Sequence, residues 1–329
     1  MTTIPLDRSR RSFTTSVRNV AAQNHFHTGE ELEEPDWFEK ALSGVEGEAI
    51  KTIKSFERGE FPLSETDRWA FSYYMALQSA RGPDTRKTME YLHASMVRLE
   101  IGAGGRKNVG RWIRRKYVVE PSPEQEDRIW EEGIQPGGPP ISSTNLAHIQ
   151  HLVEIAQELT SYLATRPWSL VRFNRRSLIT SDSPVSLIRQ PNDEPWEGVG
   201  FATAWGIAFP LTRKLGLLMS DPMVVLGGLE AGDPRVQEVR SSVLRGDIDR
   251  IEAGTTAMEK LFNEHAAYSA REYVYHHPED AGFVPEDLPE PNLINIRAQG
   301  GLMGMDFDGE PLFHPDEHQE GHDDVGEPV

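Results

Sequence analysis

The residues best suited to chemistry lie in the stretch LITSDSPVSL, where polar side chains interrupt two apolar runs. Asp182 stands between Ser181 and Ser183, and Pro184 follows directly. A carboxylate beside hydroxyls can ligate a hard cation such as Mg²⁺, or orient a water for attack on a phosphoryl or carbonyl centre. The same pattern is also typical of a tight turn, because Asp and Ser side chains bond to their own backbone and proline restarts an edge strand. The sequence leaves both interpretations open.

Arg81 offers a cationic group for the same chemistry, in the segment QSARGP at the end of an aromatic-rich helical pattern. A guanidinium there can clamp a phosphate or a carboxylate through two parallel hydrogen bonds. It can equally complement the helix dipole and pair with a structural acid, for which Asp182 is one candidate. Because burying an unpaired charge is too costly, the apolar surroundings of Arg81 predict that it has a partner.

A third polar group comes from the segment NEHAAYSAR, which has helical character. Asn263 and Arg271 fall on one helical face, whereas His265 falls on another. Asparagine inside a helix is mildly unfavourable, which suggests a hydrogen-bonding duty that brings Asn263 into a site. The alternative is a polar side chain that is satisfied within the structure and has no role in chemistry.

The histidines suggest metal binding less strongly. His25 and His27 would share a face of a strand, and His148 and His151 lie three apart on a predicted helix. Neither pair has a third ligand at an informative spacing, so Asp182 remains the main candidate metal ligand. Three further histidines, His314, His318 and His322, recur every four residues in an acidic segment, where loose binding of divalent ions is the most that is expected.

A basic segment, residues 102–119, contains six cations and no acid, interleaved with Trp112 and Tyr117. The cations are Arg106, Lys107, Arg111, Arg114, Arg115 and Lys116. Basic charge beside aromatic rings is typical of surfaces that bind a nucleic-acid backbone or a nucleotide phosphate. The alternative is a basic face that answers the acidity of the rest of the molecule. The glycines of GAGG lack the Lys-Ser/Thr ending of a phosphate-binding P-loop, which excludes that motif.

Composition limits the class of protein. The chain has 329 residues, a formal net charge of -18 and no cysteine, which excludes disulfide scaffolds and thiol catalysis. Residues 306–329 hold nine acidic residues and no Lys or Arg, so half of the net charge lies in this tail. The first 20 residues include four arginines but no apolar core of a secretory signal. We therefore expect a cytoplasmic protein with a disordered acidic tail over residues 303–329.

The apolar periodicity predicts an α+β fold. Weak alternation near the N-terminus indicates a hairpin, and helical patterns follow, one of them capped at Ser64 and the longest capped at one of residues 142–144. After Pro167 the runs WSLVRFN, SLITSD, PVSLI, WGIAFPL and LGLLMS indicate a small antiparallel sheet in the middle of the chain. Helices are predicted again over DPRVQEVRSSVLRGDIDRIEAG and TTAMEKLFNEHAAYSAREYVYH, packing back on the sheet. Residues 1–302 are expected to form one domain.

The order of five segments resembles the bacterial family catalogued as domain of unknown function number 4238. These segments are SVRNVAAQNHFHT, MALQSARGP, WSLVRF with SLITSDSPV, GIAFPLT and LFNEHAAYSAREYVYH, and the resemblance spans about residues 1–277. It implies a shared scaffold and motif positions at Arg81, Asp182, Pro184, Pro210, Asn263 and Arg271. Members of the family typically open with a His-Tyr-Val-Pro strand ahead of the hairpin, and this sequence lacks it. A site that uses that histidine would be incomplete here.

The polar residues support two classes of function. No GxSxG elbow, HExxH motif or dinucleotide-binding glycine pattern is present. The first hypothesis is a metal-assisted hydrolase or nuclease-like enzyme, in which Asp182 ligates Mg²⁺ or acts as a base, Arg81 clamps an anion and Asn263 positions a group. The second is a non-catalytic binding or regulatory module, in which the same three residues form a structural network that joins helices to sheet.

Overall fold

The computed structural model describes residues 1–16, 37–193, 198–230, 232–293 and 305–312. They fall into two compact units: unit 1 is Met1–Thr85 with Thr144–Leu293, and unit 2 is Arg86–Ser143 with the described part of Ile294–Val329. The single domain expected over residues 1–302 stays a prediction, because compactness alone does not measure independent stability. Within the described ranges, no helix combines the length and the apolar character needed to cross a bilayer.

The α+β class is confirmed by the elements themselves. The described helices are α1 (Trp37–Arg58), α2 (Glu65–Ala80), α3 (Pro83–Gly104), α4 (Val109–Tyr117), α5 (Pro123–Gly133), α6 (Asn145–Ala164), α7 (Pro222–Leu226), α8 (Pro234–Leu244) and α9 (Thr256–Ser269). The described strands are β1 (Thr2–Pro5), β2 (Phe13–Thr14), β3 (Trp168–Arg172), β4 (Thr180–Ser181), β5 (Ser186–Ile188), β6 (Gly206–Thr212), β7 (Leu215–Ser220), β8 (Arg250–Ala253) and β9 (Tyr273–His276). Short 3-10 helices cover Arg106–Asn108 and Pro278–Phe283.

The predicted single sheet is instead two sheets, both in unit 1. Strands β5, β6, β7, β3 and β8 form a five-stranded sheet in that order, and its β3–β8 pair is parallel. Strands β2, β1, β9 and β4 form a second sheet, which is antiparallel. The expected N-terminal hairpin is present, but it pairs with the last described strand of the chain. That pairing depends on tertiary contacts, which local periodicity does not encode.

Two segments that the sequence predicts as helices end in strands. In the later one, α9 stops at Ser269 and β9 follows over Tyr273–His276. The earlier one is helical over only half of its length. Helix α8 ends at Leu244, and Gly246 follows with φ of 76°, a left-handed conformation that costs glycine little. The chain then forms β8 and pairs with β3. Ile248 and Ile251 are spaced as on a helix, but the free edge of β3 offers backbone hydrogen bonds that this spacing does not reveal.

Helix α2 is central to the core of unit 1. Its N-terminus is capped as predicted, since Ser64 Oγ accepts a hydrogen bond from the Asp67 N–H at 3.2 Å. The ring of Phe71 lies 5.5 Å from that of Phe56 and 6.2 Å from that of Trp168, both edge to face. Aromatic pairs in this arrangement add stability beyond the area they bury. Helices α1, α2 and α6 therefore share one apolar core with the five-stranded sheet.

A fully buried ion pair lies inside this core. The side chains of Arg68 and Asp249 are both 0% exposed, and Arg68 Nη1 donates to Asp249 Oδ2 at 2.5 Å. Arg68 Nε also donates to the Ala164 carbonyl at 2.7 Å, and the guanidinium lies 4.1 Å from the centre of the Trp168 ring. Asp249 Oδ1 accepts from the Trp168 N–H at 2.9 Å, so both charges are compensated within the core.

Helix α9 connects the two sheets of unit 1. Phe262 packs with Phe173 and Leu178 against the five-stranded sheet, and its ring lies so close to Gly216 that a Cβ there would come within 2.7 Å. Further along α9, Ala266 and other small residues pack with the four-stranded sheet. Ser177 and Ile179, just ahead of the DSPV motif, lie beside this helix, and their backbone bonds to the side chain of Asn263.

Unit 2 has a smaller apolar core of its own. Ile101, Ile113 and Trp130 are buried there, and Phe307 packs against them. Residues 305–312 are held by backbone hydrogen bonds, including the Leu312 N–H to the Ala103 carbonyl at 3.0 Å. Phe307 thus supplies an apolar anchor within an otherwise acidic stretch, and the disorder expected over residues 303–329 stays a prediction. Residues 313–329 of that tail lie outside the described residues.

Candidate functional site

Asp182 fastens the end of α9 to the sheet. Its Oδ1 accepts the Arg271 N–H at 2.8 Å, and its Oδ2 accepts the N–H groups of Glu272 at 2.8 Å and Tyr273 at 3.1 Å. Burial raises the pKa of the Asp182 carboxyl, and the three backbone N–H groups oppose that rise. The carboxylate thus replaces the missing backbone partners where α9 passes into β9.

Ser181 and Ser183 form a local turn beside this carboxylate. Ser181 Oγ donates to the Ser183 carbonyl at 3.0 Å and accepts from the Ser183 N–H at 3.3 Å. This is the side-chain-to-backbone pattern of a hydroxyl turn, which was the alternative to a catalytic interpretation of these residues. The Ser181 hydroxyl is therefore occupied in both of its roles, as donor and as acceptor.

Arg81 pairs with an acid other than Asp182. Its Nη1 donates to Glu46 Oε1, which joins the end of α2 to α1. Asp182, one candidate for this partner, instead accepts three backbone N–H groups. Arg271 instead donates through Nε to Asp84 Oδ2 at 2.9 Å, and Asp84 is 4% exposed. Both motif arginines are thus held in ion pairs.

Asn263 is sealed inside unit 1 at 1% exposure. Its Oδ1 accepts the Ile179 N–H at 3.0 Å. Its Nδ2 donates to the carbonyls of Ser177 at 3.0 Å and Phe283 at 3.2 Å, and to Glu259 Oε1 at 2.6 Å. The expected hydrogen-bonding duty is present, and it ties α9 to the segment before β4.

The structure therefore does not bring Arg81, Asp182 and Asn263 to one opening. Each has its own partners, and none of them borders the cavity described next. The described residues also contain no group of three or more His, Asp or Glu side chains that could hold a metal ion. His148 is buried within α6, and His25 and His27 lie outside the described residues.

A cavity of about 360 Å³ lies in unit 1 between the two sheets, and we call it the two-sheet cavity. Its walls are residues 178–181, 209–213 and 275–277, with Gln78 and Tyr74 from α2. The first and second of these segments belong to the motifs ITSDSPV and GIAFPLT, and Pro184 and Pro210 also border the space. The segments that carry the family resemblance thus meet at this cavity. Their charged residues Arg81 and Asp182 do not line it, because they bond to other groups of unit 1.

Tyr275 is the most informative residue of the two-sheet cavity. It is 4% exposed, and its buried hydroxyl has no hydrogen-bond partner among the described residues. Burial, with the Asp182 carboxylate nearby, raises the pKa of this phenol well above its usual value, so it stays protonated. A buried hydroxyl without a partner is costly, so this group stands out among the polar groups of the cavity wall.

Sequence reasoning missed Tyr275 and Gln78. The alternation in EYVYH places Tyr273 and Tyr275 on one face of a strand, which indicates their orientation but not their partners. Tyr273 receives a hydrogen bond from Arg10 Nη1 at 2.7 Å, whereas Tyr275 is one of the residues that line the cavity. Two similar residues differ only in what the fold brings beside them.

His265 provides a test of stability against pH. Burial lowers the pKa of its imidazole below the ordinary 6.5, because the charged ring is poorly solvated where it is partly buried on α9. Stability from the neutral ring is therefore complete above about pH 6.5 and is lost as the pH falls through the lower folded-state pKa. We expect the wild type to lose more unfolding free energy than His265→Gln between pH 7.5 and 5.5 in urea unfolding. Equal losses in the two proteins would contradict this assignment.

The basic segment of unit 2 is mostly paired with acids. Arg106 contacts Asp127 at 2.8 Å and Arg114 contacts Glu120 at 2.8 Å. Lys116 lies 3.0 Å from a Glu100 oxygen, and Lys107 lies 3.7 Å from Glu310. Four of its six cations thus form ion pairs with acids close to them. This supports the interpretation in which the basic charge is balanced within the molecule, rather than the nucleic-acid surface.

Fold and site together define an α+β protein with a small cavity between two sheets and a buried tyrosine hydroxyl at its wall. The profile of the family described as Protein of unknown function (DUF4238) matches residues 1–280. The chain belongs to this family, which confirms the resemblance predicted over residues 1–277. No curated protein and no solved structure matches the chain significantly.

Proposed function

We propose that this protein binds a small organic molecule in the two-sheet cavity, as a binding module rather than as a metal-dependent enzyme. The observation that carries the proposal is the Tyr275 hydroxyl, which is buried at the cavity wall without a partner among the described residues. A ligand acceptor would satisfy this donor and remove the cost of its burial.

The lining indicates the chemistry of the ligand. Much of it is apolar, from Ile179, Phe209, Leu211 and similar residues, which favours a compact hydrophobic body. Arg213 also borders the cavity, but Asp280 holds its guanidinium at 2.7 Å and balances the charge. The volume of about 360 Å³ is near the lower end of ligand pockets. We therefore expect an uncharged ligand of about one ring with a carbonyl or amide oxygen.

Benzamide and toluene make a matched pair of probes for this site, because only benzamide carries an acceptor. We expect wild-type protein to bind benzamide more tightly than toluene in ligand-observed NMR. Tyr275→Phe should weaken benzamide binding about 3- to 10-fold, the value of one hydrogen bond, and leave toluene binding unchanged. Its melting temperature should not fall, since the hydroxyl that it removes has no partner in the protein.

Tyr273→Phe is the control, because it makes the same change two residues away at a hydroxyl outside the cavity lining. It should bind both probes as the wild type does. Equal benzamide affinity in wild type and Tyr275→Phe would refute the proposed role of Tyr275. If neither benzamide nor toluene binds to the wild type, the cavity is not a site for ligands of this class.

The metal-assisted hydrolase or nuclease-like hypothesis has less support. It requires Asp182 to ligate Mg²⁺, yet three backbone N–H groups already occupy both of its oxygens. Arg81 would have to leave Glu46 to clamp an anion, and Asn263 is closed off from solvent. Calorimetric titration with Mg²⁺ tests this hypothesis: heat in the wild type that disappears in Asp182→Asn would restore it.

A nucleic-acid partner at the basic segment is also less well supported. Binding to a phosphate backbone uses rows of free cations and releases counterions from the nucleic acid. Because Arg106, Lys107, Arg114 and Lys116 pair with acids, only two cations of the basic segment, Arg111 and Arg115, form no ion pair with a described residue. Two cations make a short footprint for a polynucleotide.

A further inference from the structure

Arg111 and Arg115 occupy a special position in unit 2. They lie four residues apart on α4, so their side chains share one face of the helix. Both are exposed, and both line a cleft of about 370 Å³ that Trp112, Asn108 and Pro311 also border. This cleft is separate from the two-sheet cavity, which belongs to unit 1.

These two arginines differ from the other cations of the basic segment in their partners. Neither forms an ion pair within 4.0 Å with any described residue. Like charges one helical turn apart repel each other, and the attraction of Arg115 to Glu100 offsets this repulsion only in part. An anion placed between the two guanidiniums would turn this repulsion into two attractive contacts.

The other polar groups of the cleft are already engaged. Glu100 accepts the Trp112 Nε1–H at 2.9 Å and the Lys116 ammonium at 3.0 Å. These contacts, the hydrogen bond from Trp112 first, lower the pKa of Glu100, and the Arg115 charge adds to the same effect. Asn108 Nδ2 donates to the Gly104 carbonyl at 2.8 Å. The free hydrogen-bonding capacity that remains on this wall therefore belongs to guanidinium donors.

We infer that Arg111 and Arg115 form a binding site for the phosphate group of a small phosphate ester or pyrophosphate compound. Guanidinium is planar and presents paired N–H donors that match phosphate oxygens, and two guanidiniums on one face can hold one group from two sides. The cleft leaves room beside them for the rest of a small molecule. A polynucleotide is less favoured, because the neighbouring cations are paired.

Inorganic pyrophosphate is the probe for this site, titrated calorimetrically into the full chain at low ionic strength. We expect binding by the wild type and at least 10-fold weaker binding by Arg111→Gln/Arg115→Gln. The control, Arg106→Gln/Arg114→Gln, removes the same charge from two paired arginines of the same segment and should bind nearly as the wild type does. Circular dichroism checks that both variants retain their helices.

A second variant separates charge from geometry. Arg111→Lys/Arg115→Lys keeps both charges but loses the paired donors, so it should bind pyrophosphate with an intermediate affinity. No binding by the wild type, or equal loss in the glutamine variant and its control, would overturn the site. Binding of single-stranded DNA that depends on Arg111 and Arg115, without binding of pyrophosphate, would overturn it in favour of a nucleic-acid surface.

Discussion

Replacing Arg68 by methionine is expected to lower the free energy of unfolding by about 3–5 kcal/mol. The substitution removes a cation that is 0% exposed and leaves the Asp249 carboxylate, also 0% exposed, without its charged partner. It also frees the Ala164 carbonyl, which Arg68 Nε now satisfies at 2.7 Å. An uncompensated charge in an apolar core costs far more than the ion pair contributes, so the loss is dominated by what remains behind.

Urea unfolding measures this effect, with two variants as controls. Arg68→Met/Asp249→Leu removes both charges and should recover much of the lost stability, since a buried pair can be replaced by apolar groups of similar volume. Arg58→Met breaks an ion pair with Glu60 in which both side chains are 59% exposed, and should cost less than about 1 kcal/mol. A loss from Arg68→Met as small as that from Arg58→Met would contradict the central role of the buried pair.

Replacing Asp182 by alanine is expected to lower the free energy of unfolding by about 3 kcal/mol. Three backbone N–H groups, those of residues 271–273, would lose their acceptors together. Each buried donor left unsatisfied costs about 1–3 kcal/mol, and access of water to this half-buried region reduces the sum. The melting temperature should therefore fall by several degrees.

Ser183→Ala is the matched control for this prediction. It lies one residue away, and its backbone contacts with Ser181 do not involve its own side chain. It should melt within about one degree of the wild type, as expected of a substitution that leaves these contacts intact. An Asp182→Ala protein as stable as Ser183→Ala would mean that the carboxylate is kept for function instead, and would return weight to the hydrolase hypothesis.

Local chemistry made much of the fold predictable. The helix that begins after Ser64 follows from its capping hydroxyl and its apolar pattern, both of which lie within a few residues of each other. The long amphipathic pattern of α6 is likewise read from neighbours along the chain, and Thr144 caps it at 3.2 Å. The second sheet was not predictable, because its strands β1 and β9 pair although they lie near the two ends of unit 1 in sequence.

For the candidate site too, one part was predictable from the sequence and another was not. The sequence predicts that Arg81, Asp182 and Asn263 need partners, because polar groups in apolar surroundings must be satisfied. It does not identify those partners. In the structure, Arg81 forms an ion pair with Glu46, and Asp182 accepts hydrogen bonds from the backbone that follows α9.

The sequence by itself determined the α+β class, the helix caps and the set of polar groups that require partners, since each depends on residues close together in the chain. It also determined the family, through the order of motifs along the chain. The tertiary structure alone decided which groups pair, how the strands divide into two sheets and which polar group is left over. That last outcome is what singles out the Tyr275 hydroxyl. Whether a donor has a partner depends on every element packed around it, and this information is spread over the whole of unit 1.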